Sequence, residues 1–298
     1  MSLKKHLIFT LFFFSLCSSY VLHSELLGFD LKLTNGYRND SLSTSVESND
    51  SYSLLAKDDL KLDSISLYQL GFKGRLSLLD FLVRVDANYG WAVHGKCIES
   101  QLFDSSSPSH LRANIRKGWI KEATFGIGYQ FNLIPFCQFF TITPMGGWSY
   151  HEQFFKSSHL HGYVDANNLT YTNRWEGPWC GIDLECRLHE FVFNAGYEYH
   201  LVDWHGKRKL SDLQSIRKHF FSDRHHSDHA HGQVFYIDSK WNFNLCWYVG
   251  LGLKLQEWKA IKGHWKPISG FSAYSNEERI KQTKWRSFAI TIDLGVNI

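Results

Sequence analysis

Apolar and polar residues alternate without a break through the last part of the chain. Phe288, Ile290, Ile292, Leu294, Val296 and Ile298 fall on one face of an extended segment. Ala289, Thr291, Asp293, Gly295 and Asn297 fall on the other. Side chains of a strand point to opposite sides with period two, so residues 284–298 are predicted to form a strand with one apolar and one polar wall. The same pattern recurs at 26–37, 64–76, 79–93, 118–131, 138–150, 174–188, 191–204, 231–241 and 244–258. The stretch 79–93 is the clearest of these. Phe81, Val83, Val85, Ala87, Tyr89, Trp91 and Val93 share one face, and Asp80, Arg84, Asp86 and Asn88 share the other.

The spacing between these strands is regular. Short turns near Ser77, Pro135, His189 and Asn242 alternate with long polar segments at 38–63, 94–117, 151–173, 205–230 and 259–283, which are expected as loops. An even number of antiparallel strands with short turns at one end and long loops at the other is the pattern of a bacterial outer-membrane barrel. A two-faced strand left open in water exposes a long edge, whereas closing a barrel in lipid removes it. The apolar faces carry almost no Lys or Arg, each of which costs about 2–4 kcal/mol at the bilayer midplane. Lys121 is the exception, near an expected rim. The predicted fold is therefore all-β, a ten-stranded antiparallel transmembrane β-barrel with five long outer loops, spanning residues 25–298. Pro144 cannot donate to a ladder and predicts a bulge.

A ten-stranded barrel is narrow, because about eight strands leave a lumen that side chains just fill and open channels need about sixteen. The inward faces carry many long charged residues, among them Arg84 and Asp86, which are close enough on one strand to pair. A plugged lumen is expected. A general porin is not, and a narrow selective channel is the less favoured reading. Function is expected in the outer loops as a surface-exposed structural or binding role.

Composition adds four points. Aromatics make up 16% of the chain, with 11 Trp, as suits membrane interfaces. The net charge of +3 comes without a basic run, so no nucleic-acid partner is expected. Lys4 and Lys5 precede an apolar run from Leu7 to Leu16 and then small residues, the pattern of a signal peptide over 1–24 cleaved between 17 and 24. Of the cysteines, Cys180 and Cys186 share one strand roughly 20 Å apart, too far for a disulfide.

The segments Pro178-Trp179-Cys180-Gly181-Ile182, Gly196-Tyr197-Glu198-Tyr199 and Pro144-Met145-Gly146-Gly147-Trp148-Ser149-Tyr150 resemble strands of the omptins, outer-membrane proteases of Gram-negative bacteria. The chain also resembles outer-membrane proteins of chlamydia-like bacteria. The omptin resemblance implies an endopeptidase in which an Asp-His pair faces two aspartates across a cleft and a water attacks between them. Asp203-Trp204-His205 has the Asp-x-His spacing, several residues earlier than the family pair, and Asp223-Arg224-His225 repeats it. Counting back from Asp104-Ser105-Ser106-Ser107-Pro108 places Glu99 and Gln101 at the acidic pair, and a glutamine there cannot ionise. The catalytic candidates are thus Asp203, His205 and Glu99.

His225, His226, His229 and His231 cluster with Asp228, at a spacing that can hold zinc or copper. A solvated His-rich loop is the plainer reading, and neither a metal nor a cofactor is assigned. Lys207, Arg208, Lys209, Lys259, Lys262 and Lys266 can meet anionic sugars or lipopolysaccharide phosphates. The expected partners are outer-membrane lipids, lipopolysaccharide among them, and surface peptides or host molecules.

Overall fold

In the computed structural model the alternation carries almost every described residue into strand. The described residues are 27–47, 55–103, 109–134, 137–157, 166–212, 220–244, 246–267 and 279–297; the expected signal segment lies outside them. The strands are β1 (Leu27–Glu47), β2 (Leu55–Leu78), β3 (Phe81–Phe103), β4 (Ser109–Tyr129), β5 (Phe131–Ile134), β6 (Cys137–Ser157), β7 (Ala166–Leu188), β8 (Phe191–Asp212), β9 (Phe220–Asn242), β10 (Trp247–Pro267) and β11 (Arg279–Asn297). Each pairs antiparallel with its neighbours, and β11 pairs with β1 from Asp30↔Asn297 to Glu47↔Arg279, which closes the barrel. Both β4 and β5 pair with β6 and form one stave, so the staves number ten, as the alternation predicts.

The break between β4 and β5 has a local cause. Tyr129 falls opposite Pro144 on β6, and the next residue, Gln130, lies between the two strands with its backbone N–H donating to the carbonyl of Asp80 at 2.7 Å. Proline supplies no N–H to that side of the ladder. On its other side β6 pairs with β7 without a shift through Pro144↔Ile182, so the proline interrupts β4 rather than bulging β6.

The five segments expected as loops are, for most of their length, continuations of the strands. Their alternation is inverted. On β10, Leu251, Leu253 and Leu255 point outward below Glu257 and Lys259, while inward Lys254 and Gln256 give way to buried Trp258 and Ala260. On β1, Leu33 and Tyr37 point outward, whereas further along Leu42 and Val46 are the buried residues. The solvent around the wall changes from lipid to water at this level. Apolar side chains that faced lipid must turn inward to stay out of water. The barrel thus has a membrane half with apolar exterior and charged lumen, and an extracellular half with polar exterior and apolar core.

Aromatic girdles frame the apolar band. Near the short turns, Phe81 meets Tyr129 edge-on at 5.2 Å between ring centroids, and Phe191 stacks with Phe193. At the upper boundary, Tyr68, Trp91, Tyr89, Trp119 and Phe154 form a row of ring contacts. Amphipathic rings prefer the headgroup level, so these rows bound the spanning segment. Lys121 sits at the upper row, with its ammonium 4.3 Å from the centre of the Trp119 ring.

Candidate functional site

The lumen is closed at three successive levels. In the membrane half, long inward side chains pair across the barrel. Lys32 Nζ lies 2.7 Å from Asp293 and 3.3 Å from Asp238. Arg75 meets Asp183 at 3.3 Å and Glu185 at 3.4 Å. Arg84 donates to Asp183 at 3.1 Å and also pairs with Glu198 and Tyr236. The local partner expected for Arg84, Asp86, lies instead 3.8 Å from Lys73. Among these groups the remaining void is about 30 Å³, room for about one water. At the periplasmic mouth, among Arg75, Glu185, Arg187, Lys240 and Asn242, it widens to about 530 Å³.

The middle level is a hydrogen-bonded layer. Arg38 spans Asp40 and Glu122, both at 2.7 Å. His200 meets Ser149 at 2.8 Å through Nδ1 and Glu198 at 3.0 Å through Nε2, which makes it a member of the lumen network. Above this layer lies a tryptophan cluster. Trp175, Trp204, Trp258 and Trp285 are fully buried, with Trp258 stacked on Trp285 at 5.6 Å. Trp285 donates its indole N–H to Asp40 at 3.2 Å. Sequence composition does not separate these four from girdle tryptophans. The phase of alternation does, because Trp204 lies between outward Asp203 and His205.

At the extracellular end Leu42, Leu60, Leu62, Ile65, Leu67, Phe155, Leu169 and Tyr171 fill the interior. Burial pushes the Tyr171 hydroxyl up to about 12 and the Cys97 thiol up to about 12. Where omptin chemistry requires an open cleft, this barrel holds an apolar core. Glu99 lies inside it, paired with Arg208 at 3.0 Å, and Arg208 also binds Asp58. Asp203 and His205 are on the opposite side of the wall, exposed on its outer face. The structure therefore does not bring the three catalytic candidates together. Asp104–Pro108, the segment that pointed to Glu99, lies outside the described residues.

The His-rich segment is also divided by the strand. His225 points inward against Tyr171 and Trp204, and burial pushes its pKa down to about 3. His226 points outward beside His205. On the outer wall, just above the apolar band, a charged belt runs round the barrel. It includes Lys121, Glu152, Arg174, Glu176, Glu257, Lys284 and Arg286. Arg174 donates to Glu176 at 3.0 Å and lies 5.1 Å from the centre of the Tyr150 ring, whose hydroxyl donates to Glu152 at 2.9 Å. Lys284 and Arg286 both reach Glu257 at 2.9 Å.

A closed ten-stave barrel with an apolar band between aromatic girdles and a plugged lumen is an outer-membrane β-barrel protein. The sequence profile of the family described as "Protochlamydia outer membrane protein", Pom, matches residues 32–298, and the chain belongs to this family of the bacterial outer membrane. Among solved structures, the outer membrane protease OmpT from Escherichia coli is similar, with 10% sequence identity and a TM-score of 0.68 over 94% of this chain and 99% of that one. The outer membrane protein OprG from Pseudomonas aeruginosa matches at 11% identity and a TM-score of 0.33, over 90% of this chain and 95% of that one. The translocator domain of the autotransporter NalP from Neisseria meningitidis matches at 12% identity and a TM-score of 0.32, over 98% and 95%. The likeness to OmpT is one of fold. No curated protein matches the chain.

Proposed function

We propose that this barrel acts by binding at the cell surface through its outer wall and extracellular end, with outer-leaflet glycolipid as its first partner. The closed lumen carries this reading. Charged, hydrogen-bonded and apolar layers fill it in turn, so the wall and rim are left as the surfaces that can act. The belt of Lys121, Arg174, Lys284 and Arg286 stands where headgroup phosphates meet an embedded barrel, and it interleaves cations with carboxylates that hold them extended. Arg and Lys at such a level attract anionic headgroups. An omptin-like endopeptidase is the second reading. The exposed Asp203 and His205 and the neutralised Glu99 weigh against it, because no single peptide bond could reach all three.

The test uses the full mature barrel refolded in detergent. Lipopolysaccharide is expected to bind in a salt-dependent manner, and Lys121→Ala with Arg174→Ala is expected to weaken it. In a planar bilayer no discrete conductance steps are expected, and a mixed peptide library should remain uncut. Stepwise conductance would overturn the closed-lumen reading. Specific cleavage that disappears in Asp203→Ala would make the protein a protease.

A further inference from the structure

Three histidines stand side by side on the extracellular part of the outer wall. His205 on β8 is the Cα partner of His226 on β9, and His226 is the Cα partner of His264 on β10. All three project from the outward face. Neighbouring strands lie about 4.8 Å apart, so directly opposed side chains meet. The rings of His205 and His226 stack at 4.5 Å and 23°, with their Nδ1 atoms 3.1 Å apart. On the far side of the second ring, Nε2 of His226 pairs with the carboxylate of Asp228.

This arrangement fixes a tautomer. A neutral His226 that donates its Nε2–H to Asp228 presents the Nδ1 lone pair toward His205. The space between the two Nδ1 atoms suits a proton, and it also suits a metal. Imidazole nitrogens bind zinc at about 2.0–2.1 Å, which sets two ligands about 3.3 Å apart at a tetrahedral angle, while cis positions of a square plane lie about 2.9 Å apart. The observed 3.1 Å falls between these two values. A carboxylate on the non-ligating nitrogen is the usual outer support of a metal-bound histidine. Asp203 and Glu176 lie near enough to His205 to offset added positive charge, against Arg174 on the other side.

We propose that His205 and His226 form a two-imidazole outer-wall site for a divalent transition cation such as zinc or copper, with Asp228 positioning His226 and water completing the coordination. Nitrogen donors select this class over calcium or magnesium, which take oxygen ligands. The site adjoins the belt at Arg174, the Cα partner of His205, and lies on the outer wall away from the closed lumen; it differs from the binding role proposed above in taking a cation through nitrogen donors.

The full barrel, refolded and stripped with EDTA, is titrated with zinc chloride by calorimetry and with copper(II) by electron paramagnetic resonance. One equivalent is expected to bind, with nitrogen hyperfine structure from at least two imidazoles in the copper spectrum. His205→Ala and His226→Ala are each expected to weaken binding at least tenfold and remove that structure. Asp228→Asn is expected to weaken it roughly tenfold. His229→Ala, on the same strand, is expected to leave it unchanged. Circular dichroism and heat-modifiable gel mobility confirm that each variant is folded. Absence of saturable binding to the folded barrel, or binding unaffected by both His205→Ala and His226→Ala, would overturn the proposal.

Discussion

Replacing Arg84 by alanine tests whether the charged layer really closes the lumen in a dry, paired state. Arg84 is buried and touches two carboxylates, Asp183 at 3.1 Å and Glu198, while its guanidinium lies 4.9 Å from the centre of the Trp179 ring and 5.5 Å from that of Tyr236. Asp183 and Glu198 are themselves only 4% and 5% exposed. Removing one partner of a buried ion pair leaves charge in a medium that cannot solvate it and costs roughly 3–5 kcal/mol. Here the low end applies, because Asp183 keeps Arg75 at 3.3 Å and Glu198 keeps His200 at 3.0 Å. We expect Arg84→Ala to lose about 3 kcal/mol. With a urea slope of about 1–3 kcal/mol per molar, the midpoint falls by roughly 1–3 M. The assay is reversible urea unfolding of the lipid-reconstituted barrel, followed by tryptophan fluorescence. A companion variant, Arg84→Met with Asp183→Asn and Glu198→Gln, removes the charges together and is expected to recover most of the loss. A change below about 0.5 kcal/mol for Arg84→Ala, or a triple variant no more stable than the single one, would show that water already solvates this layer.

Other consequences follow from the same geometry. Trp258→Ala opens a hole among Trp175, Trp285 and His151 and should cost about 3–5 kcal/mol in the same unfolding assay. Gly147→Ala places a methyl group 1.9 Å from the carbonyl oxygen of Phe125, a backbone atom that cannot move aside, so a loss of about 1–3 kcal/mol or a failure to refold is expected. Cys97 is buried with its thiol pushed up to about 12, so it should resist maleimide in the folded barrel and react after unfolding. Cys246 is exposed in the turn between β9 and β10, and in intact cells a membrane-impermeant maleimide should label it only once the outer membrane is permeabilised. Labelling of Cys246 in sealed cells would reverse the assigned orientation.

What is local to a strand can be read from the chain alone. Which side of the wall Phe81, Val83 and Val85 occupy, and which side Arg84 and Asn88 occupy, follows from period-two geometry alone, and ten repeats of that geometry imply a closed barrel. The extracellular halves of the strands were written in the same period with inverted polarity. A segment such as Arg38 to Glu47 therefore resembles a polar loop until water, rather than lipid, is recognised as its outer solvent. Asp203 and His205 continue the outward phase that Phe191, Phe193 and Tyr197 set on β8. Glu99 does not continue the phase of Phe81 to Val93, because a register shift between β2 and β3 opposite His94 turns it inward, and that shift belongs to the sheet. The histidine run likewise looks like one cluster along the chain. The ladder sends His225 into the core and sets His226 beside His205 and His264, 21 and 38 residues away. Partner choice across the lumen, as between Arg84 and Asp183, depends on register and closure. Those are properties of the whole sheet, fixed only when all ten staves pair at once, and no single stretch of sequence contains them.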